Sequence, residues 1–153
     1  MTDLSFCSAG ELAGRIRARE ISSLELTEHY IDRIERLDGD VNAVVVRDFE
    51  RARKAARMAD EALSAGEVAG PLHGVPMTIK ESYDVAGLPT TWGIPDFAEN
   101  VAGSDAQSVR AYKAAGAILL GKTNVPRDLA DFQSYNDLYG TTRNPWDLGR
   151  TPG

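Results

Sequence analysis

The sequence predicts an α/β fold in which α-helices cover a β-sheet core. Segments with helical periodicity and N-terminal capping signals alternate along the chain with short apolar runs. Two of these runs, Val75–Ile79 and Ala117–Leu120, have the composition of strands that are buried on both faces. No repeat, low-complexity tract or linker interrupts the 153 residues, so the sequence indicates no internal domain boundary.

Three helices are predicted in the N-terminal part, near residues 8–19, 22–37 and 49–65. Ser8 and Ser22 each stand three residues before a glutamate, which is the capping-box pattern of a helix N-terminus. Apolar or small side chains then recur every three or four residues in each segment. Each helix can therefore bury one face.

Three strands are predicted from the β-branched and apolar runs. Val41–Val46 follows Asp38–Asp40, where the helical pattern breaks, and its β-branched side chains favour a short strand. The two buried runs predict strands over residues 75–80 and 117–121. Lys80 closes the first of these two strands.

The C-terminal part carries helix starts and turns. Ser104 and Gln107 form a third capping box, and Asn124 with Pro126 predicts the start of a short helix. Residues 133–153 have no period, and they end in the turn-rich run TTRNPWDLGRTPG. Because domains usually end on an element that docks, we expect the chain to be truncated, a piece of a longer polypeptide.

Composition excludes several classes of protein. Lys and Arg number 17 and Asp and Glu 23, so the formal net charge is −6, which argues against nucleic acid as a partner. No apolar run is long enough to span a bilayer and no signal peptide is present, so no membrane partner is expected. Cys7 is the only cysteine, which rules out an internal disulfide and favours a cytoplasmic protein.

The sequence gives little support for a metal site or for a catalytic histidine. His29 and His73 lie far apart in sequence and no CxxC or HExxH pattern occurs, so we expect no metal site. His73 stands beside a Gly-Val-Pro turn, where a lone histidine is more often a hydrogen-bonded structural residue than a general base.

A nucleotide-binding motif is matched by its letters but not by the predicted structure. Residues 116–123 read GAILLGKT, which fits the P-loop pattern. A P-loop needs its middle residues in a loop whose amides surround a phosphate, whereas Ala-Ile-Leu-Leu favours a buried strand. We therefore expect no nucleotide site here.

Lys80 is the candidate for catalysis. A lysine at a strand end is usually a solvated charge, but the preceding residues can pack on both faces and carry the ammonium towards the core. A desolvated lysine loses proton affinity and can act as a base near neutral pH. We therefore predict that Lys80 is largely buried and faces a cavity.

An ordered set of motifs from about residue 70 to the end resembles the amidase signature family. Each block alone has little specificity, but their order makes the set highly specific, and the N-terminal helices resemble the family's usual lead-in. The matching blocks are Gly74–Glu81, Asp84–Thr91, Asp105–Ala106, Ala115–Asn124, Asn144–Asp147 and Arg150–Gly153.

The resemblance implies a mixed β-sheet core and a hydrolase that cleaves carboxamides without a cofactor. In that family a lysine, a serine in a cis peptide and a nucleophilic serine form the triad. The lysine matches Lys80, whereas both serines belong to a Gly/Ser-rich stretch that would follow Gly153. Residues 1–153 would then be the N-terminal portion of one amidase domain, with 1–66 as the helical lead-in and 67–153 as the start of the core.

Further site residues follow from the resemblance. By alignment Leu129, Ala130 and Asp131 would face the acyl pocket and bind substrate. The sequence departs from the family after Lys80, where Glu-Ser replaces the Asp-Asn of many members. Glu81 is interpreted as a carboxylate at the rim of the site, with a role as a hydrogen-bond acceptor left open.

Two other functions remain open. Inside the family, the chain could come from the glutamine-hydrolysing subunit of a tRNA-dependent amidotransferase, although Val125–Asp128 and Thr91–Gly93 look more like a free-standing amidase. From another class, it could be a non-catalytic, truncated α/β binding domain. The expected partners are a small-molecule amide and the remainder of the same polypeptide, and a homodimer is left open.

Overall fold

A computed structural model describes residues 3–152, and it is a mixed α/β structure as predicted. The predicted helices and strands are present in the predicted order, with ends that differ by a few residues. In chain order the elements are α1 (Ala9–Arg17), α2 (Ser23–Val41), β1 (Val44–Arg47), α3 (Phe49–Ser64), β2 (Pro76–Lys80), α4 (Gln107–Ala114), β3 (Ile118–Thr123), β4 (Tyr135–Asn136) and β5 (Gly140–Thr141).

Capping explains where the first two helices begin. The Ser8 hydroxyl accepts from the Glu11 N–H at 3.3 Å, while the Glu11 carboxylate accepts from the Ser8 N–H at 2.7 Å. Ser22 and Glu25 repeat this exchange at 3.0 and 2.8 Å. Both predicted boxes are therefore confirmed, and each satisfies amides that a helix N-terminus leaves unpaired.

The end of α2 corrects the prediction. The helix continues through Asp38–Asp40 to Val41, and the strand starts at Val44 rather than at Val41. Asp38 does not break the helix because its buried carboxylate accepts from the Ala43 and Val44 N–H groups at 2.7 and 3.1 Å. It thereby pairs amides just beyond the helix end, and the chain turns into β1.

Three smaller differences concern the C-terminal part. α4 begins at Gln107, so Ser104 does not cap it and the third capping box is wrong. The short helix predicted after Pro126 is a single 3₁₀ turn, Arg127–Leu129. The segment without a period contains a small antiparallel pair, β4 and β5, which the sequence pattern did not reveal.

The main sheet has the order β1-β3-β2 and is mixed. β1 lies antiparallel to β3, with Val46 opposite Lys122. β2 runs parallel to β3, since the Ile118 N–H donates to the Val75 carbonyl and, further along both strands, the Glu81 N–H donates to the Thr123 carbonyl, each at 2.9 Å. The predicted mixed sheet is confirmed. β2 forms one of its edges and is half-buried from Pro76 to Thr78, so the prediction that it is buried on both faces is wrong, whereas β3 is buried along most of its length.

The chain divides into two compact units, each assembled from three separate stretches. The first unit contains the stretch ending at Arg33, then Asp48–Met77 and Arg110–Leu120. Its apolar core is built on Leu12, Ala13, Ile16, Leu26 and Val75.

The second unit contains Ile34–Arg47, Thr78–Val109 and the stretch from Gly121 onward. It holds β1, the end of β2 and the loops that follow β2 and β3. The predicted division of the chain at residue 66 stays a prediction.

No helix among residues 3–152 combines the length and the apolar character that crossing a membrane requires.

Candidate active site

Lys80 is the last residue of β2, and its side chain is exposed. Its backbone is well fixed, because its carbonyl accepts from the Tyr83 N–H at 3.0 Å and the next amide continues the ladder to Thr123. The prediction of a largely buried Lys80 is wrong for this chain. Side chains alternate along a strand, and here Ile79 and Glu81 point inward while Lys80 points outward.

Glu81 is the buried partner of this strand end. Its side chain is 0% exposed, which corrects the interpretation as a rim carboxylate. Oε1 accepts from the Thr91 N–H at 2.7 Å, the Thr91 hydroxyl at 2.9 Å and the Tyr139 hydroxyl at 3.2 Å. Oε2 accepts from the Trp92 N–H at 3.0 Å. Four donors therefore converge on one carboxylate, which is how a buried charge is made tolerable.

Lys122 is the second buried charge and the one that the sequence pattern did not reveal. Its side chain is 0% exposed, and the ammonium donates to the Pro89 carbonyl and, at 2.9 Å, to the Thr90 hydroxyl. Burial lowers the pKa of Lys122 to about 8, and the nearby charges of Glu81 and Asp84 oppose that shift. The sequence does contain one indication of this burial, because Lys122 lies in the same strand as the apolar run that precedes it.

Lys122 and Glu81 hold consecutive parts of one loop. Lys122 binds Pro89 and Thr90, and Glu81 binds Thr91 and Trp92. Trp92 has a left-handed backbone with φ 54°, which a bulky residue adopts only where its surroundings hold it. Two opposite charges thus fix the loop that follows β2.

The loop at Trp92 also contacts the segment that the alignment assigned to the acyl pocket. The Asp128 N–H donates to the Trp92 carbonyl at 2.8 Å. Asp128 and Leu129 have left-handed φ values of 55° and 56°. Leu129, Ala130 and Asp131 are all exposed, and the Asp131 carboxylate accepts from the Phe132 N–H at 2.6 Å. Their role as substrate contacts stays a prediction.

Two buried asparagines place Tyr139 where it reaches Glu81. Asn136 accepts from the Tyr139 N–H at 2.7 Å and donates to Asn124 at 2.9 Å. Asn124 in turn donates to Thr142 at 3.0 Å. Burial raises the pKa of Tyr139, so its hydroxyl stays protonated and donates to the carboxylate.

The other candidates of the sequence have structural positions. His73 is buried, accepts from the Ala69 N–H through Nδ1 at 3.1 Å and pairs through Nε2 with the Ala59 carbonyl at 3.0 Å, which confirms the structural interpretation. The middle of the P-loop-like motif lies in β3, as expected. Within residues 3–152 no three metal-ligating side chains come together.

This arrangement belongs to the second unit of the chain. It offers an exposed lysine on a rigid strand end, beside a loop and a 3₁₀ turn held in unusual conformations. Such backbone strain is commonly found at functional sites, where the surrounding contacts maintain it. An amine in this position can exchange a proton with a neighbouring hydroxyl once it is neutral.

Comparisons with known proteins agree with this architecture. The amidase family model matches residues 25–153. A glutamyl-tRNA(Gln) amidotransferase subunit of Nocardia farcinica is 43% identical over 100% of this chain and 31% of its own length. An acylamidase of Rhodococcus erythropolis is 40% identical over 99% of this chain and 32% of its own length. The chain therefore spans about a third of these curated relatives.

Solved structures give the same result. The native peptide amidase from Stenotrophomonas maltophilia superposes with a TM-score of 0.88 at 31% identity, over 97% of this chain and 32% of the amidase. The mixed sheet and its helices therefore match the corresponding part of the solved peptide amidase. This chain belongs to the amidase family.

Proposed function

We propose that this chain is the N-terminal portion of an amidase that hydrolyses carboxamide C–N bonds to a carboxylic acid and ammonia or an amine. The proposal rests on membership of the family and on one observation of geometry: Lys80 closes β2 with its side chain exposed and its backbone fixed on both sides. The proposed partners are a small-molecule amide and the rest of the same polypeptide. The single cysteine, Cys7, is compatible with a cytoplasmic location.

The proposed mechanism uses Lys80 as the base. Two serines supplied by polypeptide beyond Gly153 would complete the triad. Neutral Lys80 would take the proton of the bridging serine as that serine takes the proton of the nucleophile. The nucleophile would attack the amide carbon, protonated Lys80 would return its proton through the bridging serine to the leaving nitrogen as the C–N bond breaks, and water would hydrolyse the acyl-serine. Covering Lys80 with the missing polypeptide would favour its neutral form.

The test compares full-length wild type with Lys80→Ala and Lys80→Met in an ammonia-release assay on a simple carboxamide. A positioned acid–base group contributes on the order of 10²–10⁴-fold to rate, so both variants should lose at least that much turnover. Lys54→Ala removes an exposed lysine of α3 and should leave turnover unchanged. Circular dichroism checks that each variant is folded.

Equal, measurable turnover in wild type and Lys80→Ala would contradict the mechanism, whereas no turnover by the folded full-length wild type would favour the non-catalytic binding domain. The 153-residue chain alone should be inactive in the same assay, because it lacks the proposed nucleophile. Turnover by this chain would show that the chemistry is carried by other residues.

A second candidate is the glutamine-hydrolysing subunit of a tRNA-dependent amidotransferase. The 43% identity to a glutamyl-tRNA(Gln) amidotransferase subunit favours it. The full-length protein assayed alone separates the two: a free-standing amidase should prefer simple carboxamides, whereas the amidotransferase component should prefer glutamine and gain activity only with partner proteins.

A further inference from the structure

We infer that Glu81 is a positioning residue that joins Lys80 to the turn carrying Leu129, and that selectivity between short and long acyl groups depends on it. The inference rests on the proposed amidase function. The sequence alone favoured a rim carboxylate, but the burial of Glu81 and its four hydrogen-bond donors give it a different position.

The first connection runs from Glu81 to Lys80 through the backbone. The Glu81 N–H donates to the Thr123 carbonyl at 2.9 Å, so β2 stays paired one residue beyond Lys80. The Glu81 side chain is buried on the opposite side of the strand from Lys80. The lysine therefore projects from a backbone that the neighbouring carboxylate anchors.

The second connection runs from Glu81 to the loop after β2. One carboxylate oxygen accepts from the Thr91 N–H and hydroxyl, and the other from the Trp92 N–H. Gly93 follows with φ 66°, and a Cβ there would lie 2.8 Å from Asn136, so the loop passes very close to that side chain. The carboxylate thus fixes two consecutive amides of a tightly packed loop.

The third connection leads from this loop to the turn Arg127–Leu129. The Trp92 carbonyl accepts from the Asp128 N–H at 2.8 Å. Trp92, Asp128 and Leu129 all have left-handed backbones, which relax when their supporting contacts are lost. Removing the carboxylate should therefore disturb both the loop and the turn beside it.

A neutral amide cannot replace this carboxylate. All four partners are donors, and a glutamine would turn an NH₂ group towards at least one of them. Glu81→Gln keeps the size of the side chain and changes its hydrogen bonding together with its charge. It is therefore the informative substitution.

The matched control is Asp38→Asn. Asp38 is also a buried carboxylate of the second unit that accepts from two consecutive backbone amides, Ala43 and Val44. These partners lie in the chain just after α2, away from the loop that follows β2 and from the turn. The substitution therefore removes a buried carboxylate anchor, together with its ion pair to Arg47, and leaves all four donors of Glu81 in place.

The activity test measures kcat/KM of the full-length enzyme for butyramide and for hexanamide. The ratio of the two values does not depend on the fraction of active enzyme, so partial unfolding does not change it. Glu81→Gln should lower both values and shift their ratio by about threefold or more, since pocket contacts discriminate chain lengths by about 10–200-fold. Asp38→Asn should leave the ratio unchanged. An unchanged ratio in Glu81→Gln would overturn the inference.

Hydrogen exchange provides a readout that does not need activity. In full-length Glu81→Gln the amides of Thr91, Trp92 and Asp128 should exchange faster by roughly tenfold or more, whereas Asp38→Asn should affect Ala43 and Val44 instead. Faster exchange of the Trp92 amide with an unchanged exchange rate of the Asp128 amide would refute the connection to the turn. If Lys80→Ala kept full turnover, the proposed mechanism with Lys80 as the base would fail, while this measurement would still decide the role of Glu81.

If Glu81→Gln does not fold, Tyr139→Phe replaces it. This substitution keeps the ring and removes the hydroxyl that donates to Glu81 at 3.2 Å and accepts from the Thr91 hydroxyl at 3.3 Å. Smaller changes in the same direction are expected in the ratio and in exchange. A kcat/KM ratio and exchange rates in Tyr139→Phe that equal those of wild type would contradict the inference.

Discussion

Lys122 gives the chain a pH-dependent stability that can be calculated and measured. The perturbation is Lys122→Met, which keeps an unbranched side chain of similar length and removes the ammonium. In the fold the pKa of Lys122 is about 8 because its side chain is buried, against an ordinary value of 10.5. The folded state therefore releases the lysine proton at a lower pH than the unfolded state does.

The size of the effect follows from this difference. At about 1.4 kcal/mol for each pH unit, lowering the pKa from 10.5 to about 8 corresponds to about 3 kcal/mol. Below pH 8 both states are protonated and the burial cost is present in full. Between pH 8 and 10.5 the unfolded state binds more protons, so wild-type stability rises with pH relative to Lys122→Met.

The assay is urea unfolding of both proteins at pH 7 and at pH 10.5, followed by circular dichroism. The free energy of unfolding of wild type minus that of Lys122→Met should increase by about 3 kcal/mol at the higher pH. Groups common to both proteins cancel in this difference. Lys54→Met, at an exposed lysine of α3, should show a difference that is the same at both pH values.

A difference that did not change between the two pH values would refute the reasoning. It would mean that the Lys122 ammonium is as well solvated in the fold as in the unfolded chain. The hydrogen bonds to Pro89 and Thr90 would then fully compensate for burial.

Two further predictions concern the packing of the first unit. Gly116→Ala should lower the free energy of unfolding by about 3 kcal/mol, because the backbone has φ 90° and the new Cβ would lie 2.6 Å from the His73 Cα. In the same urea titration the control Gly39→Ala, which has open space around it, should be neutral or stabilising. Equal unfolding midpoints for the two variants would contradict the prediction. Asp60→Ala should cost about 1–3 kcal/mol, because its carboxylate accepts from the Ser23 and Leu24 N–H groups at 2.7 and 3.0 Å. Thermal unfolding beside the exposed control Glu61→Ala would test it, and coincident curves would disprove it.

Local patterns predicted the elements well because they have local causes. The capping boxes at Ser8 and Ser22 each lie within four residues, and the short apolar runs around Ile79 and Leu119 favoured strands, which the structure confirms. The end of α2 was missed because Asp38 makes its bonds after the helix, where its usual preference for breaking a helix does not apply.

The site was only partly predictable. Lys80 was identified at the correct strand end, but its exposure depends on which side of an edge strand is covered. The donors of Glu81 lie 10, 11 and 58 residues away along the chain, and a periodic sequence pattern does not indicate contacts at such separations. In the sequence Lys122 stands out as part of the P-loop-like motif, and that motif does not indicate its burial in the sheet.

The interleaving of the two units has a consequence for synthesis of the chain. The polypeptide passes from one unit to the other after Arg33, Arg47, Met77, Val109 and Leu120. On a ribosome, which releases the N-terminus first, the first unit cannot close until Leu120 has emerged, long after most of its helices are available. The second unit likewise cannot form completely until the residues that follow Gly121 have been synthesised, although Ile34–Arg47 emerge much earlier. We therefore expect apolar helix faces of the first unit to stay exposed to solvent until the later stretches have been synthesised.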